Sequence, residues 1–579
     1  MTKQPITHHF LTARERPSDL VAIRFRRHKS WLDLSWQEYF RRSEAAAVEL
    51  DALGVEPGDR VAILANTRWE WAALDFAILG MGAVTVPVYQ SSRPEEIEYV
   101  LNHCGARVLV AEDQAQLRKW EAIAKRCKTV EKVIVIQPAE DFKPTASLLA
   151  WDDFLSQGAT KAASRPEFFM QRLRAAKLED LATLVYTSGT TGEPKGVRLT
   201  HRQILAEVEA IGQAFPISTQ DSTLSFLPYA HVMGRVELWL HTYIGFTLNI
   251  AESTDRLRQN LRDTKPTAII GVPRIFEKIF AGIMTEIQGN PLRRGVFHWL
   301  EGGGLRWAKR ALLNRLLFGK LREGLGGKLR FAVSGGAPLE PKIAEFFNDA
   351  GILVLEGYGL TETTAAITSN TPTAFRFGSV GRPLSHVEIK LADDGEILVK
   401  GDVVTPGYYK DSGDGDKSFN GGYFHTGDIG EWTSDGFLRI TDRKKDLIKT
   451  SGGKYVAPQK LEGLLKLDPL ISNALIHGDR KKYVVALLTL DEVAARNMAR
   501  HNGWVFRDYK SLTQSPQMRE YVRKIVAQAN TQLASFETIK SFAILPNDFT
   551  IEGGELTPSL KVKRRVADER YRDVIESLY

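Results

Sequence analysis

The chain has 579 residues, of which 43% are hydrophobic, 25% charged and 9% aromatic. These values are close to those of average globular proteins and exclude a wholly disordered chain, a collagen-like repeat and a coiled coil. The length predicts more than one domain and a core that needs no disulfide or metal to be stable. The two cysteines, Cys104 and Cys127, cannot build a disulfide framework and suit a reducing cytosol.

The net charge of +7 is unevenly distributed along the chain. Residues 443–579 contain 24 Lys and Arg against 16 Asp and Glu, so they carry +8, and the remaining 442 residues sum to −1. A basic C-terminal module indicates an anionic partner, although an ordinary solvated surface explains the charge equally well. Nucleic acid is disfavoured, because the sequence has no zinc-ligand spacing, aromatic RNA-binding signature or basic low-complexity tail.

No segment has the length and composition of a membrane-spanning helix. The first 19 residues lack the apolar core of a secretory signal, and the longest apolar run, 76–88, is 13 residues long, whereas a span needs about 20. We therefore expect a cytoplasmic protein. Segment 292–330 holds ten basic and two acidic residues with interleaved tryptophans, which would suit peripheral contact with the inner face of the membrane. A solvated helix packed on the core is the favoured alternative.

The first 440 residues alternate short β-branched runs with longer helical patterns. This alternation favours an α/β layered fold with mainly parallel sheets. The predicted strands include 61–64, 83–88, 108–111 and 133–136, and the predicted helices include 36–53 and 94–103.

After residue 378 the pattern changes to antiparallel hairpins. Runs 387–391 and 396–400 flank the dipeptide Asp394-Gly395, and Asp435-Gly436 precedes the run 437–440; Asp-Gly is a strong hairpin signal. The polar stretch 441–446 suits a linker. We therefore predict an N-terminal domain over 1–442 and a C-terminal domain over 443–579.

The densest local motif is YTSGTTGEPKG at 186–196, which follows an apolar run. Its glycines let backbone N–H groups turn towards a phosphate, its hydroxyls add donors and its lysine adds charge. It is not a Walker A loop, because Lys195 is followed by Gly196 rather than by Ser or Thr. The sequence thus predicts phosphate binding by Thr187, Ser188, Gly189, Thr190, Thr191, Gly192 and Lys195.

Four further motifs follow in order. In EGYGLTETT (356–364), the carboxylate of Glu362 suits a hard cation and Tyr358 offers a face to a base. In HTGD (425–428), Asp428 is placed to accept hydrogen bonds from both hydroxyls of a ribose. The others are DRKKD (442–446), which runs into Lys449, and the basic run LTPSLKVKRR (556–565), whose ordinary interpretation is a solvated face.

Together these five motifs resemble the adenylate-forming superfamily of acyl-CoA synthetases, peptide-synthetase adenylation domains and luciferases. The resemblance extends over essentially the whole chain. The segments LPYAHVMGR (227–235), GVPRIFEK (271–278), SGGAPL (334–339) and LTPSLKVKR are similar to the long-chain fatty acyl-CoA synthetases. This resemblance implies an α/β fold: a large N-terminal domain of layered α/β subdomains with a small β-barrel-like subdomain, and a small, mobile α+β C-terminal domain.

The resemblance also implies the substrates and the residues that bind them. ATP, CoA and a fatty acid would be substrates, Mg²⁺ would be the cofactor, and Thr187 and Glu362 would contact the metal. The implied nucleotide contacts are Gly336, Glu356, Gly357 and Tyr358 at the adenine, Thr361 at the α-phosphate, Asp428 and Arg443 at the ribose, and Lys449. Lys445 matches the hinge, Lys561 the catalytic lysine and His231 the histidine beside the acyl pocket.

These roles are physically reasonable, because a carboxylate must attack an α-phosphate that is also anionic. A cation at that point is worth about 3–4 kcal/mol, and Lys561 is the candidate to supply it. We expect the acyl pocket to use 229–243 and 336–338, with Trp239 more simply a helix-packing residue than a gate. Pantetheine contacts are expected at 451–454.

The leading interpretation is an ATP-dependent long-chain fatty acid–CoA ligase. One alternative is a ligase that delivers acyl-AMP to another acceptor, but the 60 residues between Thr364 and His425 leave no room for the insertion that such enzymes often carry. A second is an aryl or medium-chain acid–CoA ligase. A third is a nucleotide- or lipid-binding protein without catalysis, against which the retained Lys195, Glu362, Asp428, Arg443 and Lys561 argue.

Overall fold

The computed structural model describes residues 3–187, 193–288, 318–410, 418–550, 552–557 and 562–579. The strands in these ranges are β1 (Val21–Arg27), β2 (Ser30–Ser35), β3 (Arg60–Leu64), β4 (Val84–Val88), β5 (Val108–Asp113), β6 (Lys132–Gln137), β7 (Leu148–Ala150), β8 (Leu181–Thr187), β9 (Lys195–Thr200), β10 (Ser222–Ser225), β11 (Thr247–Ile250), β12 (Ala268–Gly271), β13 (Phe331–Ser334), β14 (Leu353–Tyr358), β15 (Thr368–Ser369), β16 (Arg382–Pro383), β17 (Val387–Leu391), β18 (Glu396–Gly401), β19 (Phe419–Asn420), β20 (Tyr423–Trp432), β21 (Leu438–Arg443), β22 (Ile448–Lys449), β23 (Tyr455–Val456), β24 (Ile471–His477), β25 (Val484–Leu490) and β26 (Ile539–Ile544).

The helices in the same ranges are α1 (Ile6–Leu11), α2 (Trp36–Ala52), α3 (Trp69–Gly80), α4 (Pro94–Cys104), α5 (Gln114–Glu121), α6 (Trp151–Ala163), α7 (Phe168–Ala175), α8 (His201–Ala214), α9 (Val232–Ile244), α10 (Leu257–Thr264), α11 (Pro273–Gln288), α12 (Gly319–Gly324), α13 (Pro341–Asp349), α14 (Pro458–Leu465), α15 (Glu492–His501), α16 (Tyr509–Thr513), α17 (Pro516–Asn530), α18 (Arg564–Arg570) and α19 (Arg572–Glu576). Short 3₁₀ turns lie at Thr12–Arg14, Ala124–Arg126 and Thr361–Thr363.

The first layer is a sheet ordered β7-β6-β5-β3-β4-β8-β9. Its neighbours run parallel except for the β8–β9 pair. Every residue of β4 is buried, which is typical of a parallel strand with helices on both faces. The four predicted strands and the two predicted helices named above are confirmed to within one or two residues.

The second layer is a sheet ordered β16-β15-β14-β13-β12-β10-β11-β1-β2. Its central strands β10, β12, β13 and β14 run parallel, so their carboxyl ends share one edge. Ligands bind at this edge in open α/β sheets. The segments that follow β13 and β14 carry 334–339 and 356–364, which places both motifs there.

A smaller antiparallel sheet of β17 to β21 follows. The predicted hairpin is confirmed, because β17 pairs with β18 across residues 392–395. Strand β20 contains His425 to Asp428, and β21 ends at Arg443. The remaining chain packs β24, β25 and β26 with α14, α15 and α17 around a separate core. The α/β class with a smaller α+β C-terminal part is therefore confirmed.

A buried ion pair joins α9 to the first layer. The Arg235 side chain and the Asp75 carboxylate are both fully buried and lie 2.7 Å apart. Asp75 also accepts hydrogen bonds from Thr85 of β4 at 2.7 Å and from Trp239 Nε1 at 3.1 Å. The cost of burying these charges is offset in part because both Asp75 oxygens and both Arg235 Nη atoms find hydrogen-bond partners.

Candidate active site

One cavity of about 2430 Å³ lies where the carboxyl edges of the two large sheets, the antiparallel sheet and the C-terminal part meet. Most of the site residues predicted from the sequence line it. These are Thr187, Lys195, His231, Gly336, Glu356, Gly357, Tyr358, Thr361, Glu362, Asp428, Arg443 and Lys445. Residues separated by up to 258 positions in the chain are thus brought to one site.

Asp428 is held by groups on two sides. Tyr358 Oη donates to Asp428 Oδ2 at 2.7 Å, and Arg443 Nε lies 3.0 Å from Asp428 Oδ1. Asp428 and Arg443 are also register partners in the β20–β21 pair. Burial, followed by the nearby Asp428 charge, raises the pKa of Tyr358 well above its usual value, so the phenol keeps its proton and remains a donor.

Glu362 lies opposite the β8–β9 hairpin. Tyr408 Oη donates to Glu362 Oε1 at 2.9 Å, and Lys195 Nζ lies 4.9 Å from the centre of the Tyr408 ring. Thr187 and Lys195 are register partners at the loop end of the hairpin. Burial raises the pKa of Glu362 above its ordinary value.

Glu356 supports a neighbouring loop. Its Oε2 accepts a hydrogen bond from Leu339 N at 3.0 Å, and its side chain is buried. Burial raises the pKa of Glu356 to about 7. The bond ties the end of β14 to the segment 336–339, so Glu356 fixes the backbone that borders the cavity.

An apolar branch of the cavity extends between α8 and α9. Its walls are Glu207, Ile211 and Phe215 on the α8 side, Val232, Val236 and Leu240 on α9, and Ala268, Ile270, Phe331 and Val333 from β12 and β13. Residues four apart share one helix face, so each helix contributes a single stripe. The first and last of these residues on each helix are eight positions apart, so the lining extends about 12 Å along the helices.

His231 marks the upper end of this branch and two aromatic rings mark the lower end. His231 caps α9 through Nδ1, which accepts from Met233 N at 3.2 Å. At the other end, the rings of Phe215 and Phe331 stack with centroids 5.5 Å apart. Trp239 is fully buried and bonded to Asp75, so it packs the helix, and the predicted packing role describes it better than a gate.

Some predicted residues lie elsewhere. Lys449 is exposed, is not part of the cavity lining, and has its Nζ 5.4 Å from the centre of the Tyr455 ring. The loop residues Ser188, Gly189, Thr190, Thr191 and Gly192, and also Lys561, lie outside the described residues. The residues flanking Lys561, namely 556–557 and 562–565, line the same cavity as Asp428 and Glu362.

The sequence alone did not single out three residues of this region. Tyr408, Glu207 and Arg274 each make a specific contact, but each is an isolated polar residue in a helix or loop without a motif. Of the three, only Arg274 lies in a segment that resembles the long-chain fatty acyl-CoA synthetases, the GVPRIFEK run.

Comparison with known proteins agrees with this geometry. Residues 10–409 match the family model described as AMP-binding enzyme, and residues 445–579 match that of the AMP-binding enzyme C-terminal domain. The chain belongs to the AMP-binding enzyme family. The predicted resemblance to adenylate-forming enzymes is thereby confirmed.

Relatives within the AMP-binding family extend over nearly the whole chain. A Mycobacterium bovis protein named long-chain-fatty-acid–CoA ligase FadD15 is 38% identical, over 95% of this chain and 92% of its own. The Arabidopsis thaliana protein named long chain acyl-CoA synthetase 7, peroxisomal, is 30% identical over 94% and 82%. The adenylation domain of a Mycobacterium chelonae carboxylate reductase superposes with a TM-score of 0.79 at 23% identity, covering 100% of this chain and 92% of that one, which shows a shared fold.

The part of the chain that the structure describes was found to hold neither a membrane-spanning helix nor a cluster of metal-ligating side chains. There, no helix is both long and apolar enough to cross a membrane. The same residues contain no cluster of three or more His, Cys, Asp or Glu side chains placed to hold a metal. The segment 292–330 is described only from residue 318.

Proposed function

We propose that the protein is an ATP-dependent long-chain fatty acid–CoA ligase. It would join the fatty acid carboxylate to the α-phosphate of ATP with release of pyrophosphate, and then transfer the acyl group from AMP to the thiol of CoA. The observation that carries the proposal is a single cavity that combines a charged end with an apolar branch lined by α8, α9, β12 and β13. Both curated relatives above are named as enzymes of this class.

At the charged end, the side chains are arranged for a nucleotide. Asp428, held by Tyr358 and Arg443, would accept the ribose hydroxyls. Gly336, Glu356, Gly357 and Tyr358 would border the adenine, and Thr361 the α-phosphate. Lys195 and the loop before it would face the outer phosphates, where glycine backbone N–H groups and a lysine suit an anion.

Mg²⁺ is a proposed cofactor at the same end. Glu362 and Thr187 both line the cavity and offer oxygen atoms, which Mg²⁺ prefers. Thr187 and Glu362 would supply two ligands, and phosphate and water would complete the coordination, as is usual for this ion. When bound, it would offset the repulsion between the fatty acid carboxylate and the phosphates.

The apolar branch favours an alkyl chain over a ring. The lining along α8 and α9 is about 12 Å long, which covers about ten carbons of an extended chain with C–C bonds of about 1.5 Å; the long-chain assignment itself rests on the relatives. An aryl acid would leave most of this space empty. A free fatty acid would therefore place its carboxylate near His231 and its chain towards Phe215 and Phe331.

The C-terminal domain, which we place at 443–579 after an N-terminal domain of 1–442, would serve both half-reactions. Lys561 would neutralise charge at the α-phosphate during adenylation. The domain would then turn about Lys445 and present another face for thioester formation, which is a hinge transition. Its basic surface would suit the phosphates of CoA, with pantetheine near 451–454.

Product analysis by mass spectrometry tests the proposal directly. The protein is incubated with ATP, Mg²⁺ and a mixture of C6 to C20 fatty acids, with and without CoA. Acyl-CoA and AMP that peak at long chains are expected. Acyl-AMP that accumulates regardless of CoA would instead identify a ligase that serves another acceptor, and a peak at short or aromatic acids would refute the long-chain assignment.

Peripheral membrane contact through 292–330 is a separate proposal that rests on the sequence. Its ten basic residues and interleaved tryptophans suit an anionic surface. Flotation with anionic liposomes would compare the wild type with a variant in which Arg306, Lys309 and Arg310 are changed to glutamate. Equal flotation of the two proteins would rule out this segment.

A further inference from the structure

Glu207 is a fully buried carboxyl group in the wall of the apolar branch. It lies on α8, one turn before Ile211. Its Oε1 accepts a hydrogen bond from Ala366 N at 2.6 Å, and its side chain is 0% exposed. No other partner of its carboxyl oxygens, and no ion pair, is found among the described residues. The bond to Ala366 is therefore its principal polar contact.

The carboxyl group is held in its neutral form. Burial raises the pKa of Glu207 to about 8, and the Ala366 N–H opposes this shift only in part. An unpaired buried charge would be costly, so the group keeps its proton. In this state, Oε1 acts as a carbonyl oxygen that accepts one backbone N–H.

The Ala366 amide follows a turn with unfavourable backbone angles. Thr364 has φ of 63° and Ala365 has φ of 146°, values that non-glycine residues rarely adopt. Such residues cost about 1–3 kcal/mol each and persist only where the surroundings fix them. The turn also packs tightly on Gly359, since a Cβ there would lie 1.4 Å from the Ala365 carbonyl oxygen.

Besides local bonds such as that from Thr363 Oγ1 to the Ala365 carbonyl oxygen at 3.2 Å, two bonds hold the turn to more distant residues, and Glu207 holds it from a further element. Thr364 Oγ1 donates to the Val403 carbonyl oxygen at 2.6 Å, and Ile367 N donates to the Tyr358 carbonyl oxygen at 2.8 Å. Neither bond reaches α8. Among the described residues, Glu207 alone makes a hydrogen bond between this turn and α8, the helix that forms one wall of the apolar branch.

The turn stands where the two ends of the cavity meet. It begins two residues after Glu362, and Ala365 and Ala366 line the cavity themselves. We propose that Glu207 is a positioning residue for adenylation: by holding the Ala366 amide it fixes the backbone beside which the acyl carboxylate and the α-phosphate come together. This inference rests on the proposed function and extends it.

Two substitutions of Glu207 separate the effect of its acceptor oxygen from that of its side-chain volume. Glu207→Gln keeps a neutral side-chain carbonyl oxygen, and Glu207→Leu removes the acceptor at similar volume. We expect Glu207→Leu to lower kcat of acyl-AMP formation about tenfold, as for the loss of one buried hydrogen bond, with KM for ATP nearly unchanged. Glu207→Gln should restore most of the rate.

Glu237 provides a matched control. It is an equally buried glutamate on α9, and its neighbouring hydroxyls belong to Thr223 and Ser225 rather than to the turn. Glu237→Leu should leave kcat of adenylation within about twofold of the wild type. Thermal unfolding would establish that all three variants are folded under assay conditions.

Hydrogen exchange supplies a readout that does not need activity. Exchange of the peptide that contains Ala366 should increase in Glu207→Leu, but not in Glu207→Gln or Glu237→Leu. The inference is overturned if a folded Glu207→Leu keeps wild-type adenylation and exchange, or if Glu237→Leu loses as much rate. A wild-type protein that forms no acyl-AMP would refute the proposed function instead, while increased exchange in Glu207→Leu would still support the anchoring of the turn.

Discussion

Substitution of Arg274 should separate the two half-reactions, because its side chain links the two parts of the chain. It lies at the start of α11, and its Nη1 and Nη2 donate to the carbonyl oxygen and hydroxyl of Ser472 at 2.6 and 2.8 Å. Ser472 Oγ in turn donates to Asp548 Oδ2 at 2.5 Å. The guanidinium thus fastens the adenylation part of the chain to a buried polar network in the C-terminal part.

The expected effect of removing the Arg274 side chain can be sized from these two hydrogen bonds. Hydrogen bonds from a charged donor contribute about 1.5–3 kcal/mol each when buried; since Arg274 is only half-buried, we take about 2 kcal/mol for the pair. This corresponds to about a 30-fold shift in the equilibrium between this domain arrangement and any other. In this arrangement, residues 562–565 line the cavity beside Asp428, so adenylation should depend on it.

Arg274→Ala should therefore slow acyl-AMP formation by up to about 30-fold and leave thioester formation from supplied acyl-AMP and CoA largely intact. Single-turnover assays of each half-reaction measure this directly. Lys342→Ala is the matched control, because the bond from Lys342 to Gln532 also links the two parts but is exposed and 3.4 Å long. Equal slowing of both half-reactions, or none in either, would refute the reasoning.

Three further predictions concern the lysine, the acyl branch and a buried acid. Lys561→Ala should abolish adenylation but leave thioester formation from supplied acyl-AMP, and loss of both would contradict domain rotation. Phe215→Ala should shift the kcat/KM optimum in a chain-length series to longer acids, and it should lower the free energy of unfolding by about 3–5 kcal/mol. Phe347 is buried but does not line the cavity, so Phe347→Ala should not shift the optimum. Burial raises the pKa of Glu237 from 4.5 to about 7, so the native state binds the proton more tightly than the unfolded state does, and the free energy of unfolding falls as pH rises from 4.5 to 7. Glu237→Gln lacks this titration. Between pH 5 and pH 8, its free energy of unfolding should therefore rise by up to about 3 kcal/mol relative to that of the wild type.

The sequence was sufficient to predict a structural element or a site residue wherever a local pattern of residues identifies it. The apolar run of β4 and the Asp394-Gly395 turn each predicted their elements, because burial on two faces and a short hairpin turn have local signatures. The motif residues Asp428 and Glu362 were likewise assigned to one site by their resemblance to a family, and the structure brings them into one cavity.

The contacts that tune the site could not be predicted in this way. The bond from Glu207 to Ala366 spans 159 positions, and that from Arg274 to Ser472 spans 198. Each depends on how helices and sheets are placed relative to one another, and a lone glutamate or arginine in a helix has no periodic signature. In the sequence alone, both would be taken for surface residues.

The buried pair of Arg235 and Asp75 has a consequence for how the protein unfolds. It fastens α9, which lines the acyl branch, to α3, and Asp75 of α3 is bonded in turn to Thr85 of the parallel sheet. Removing either partner would leave an uncompensated charge, at a cost of about 3–5 kcal/mol, so neither layer can loosen without the other. The two large sheets should therefore melt as one cooperative unit, and the C-terminal part, which has its own core, is free to melt independently of them.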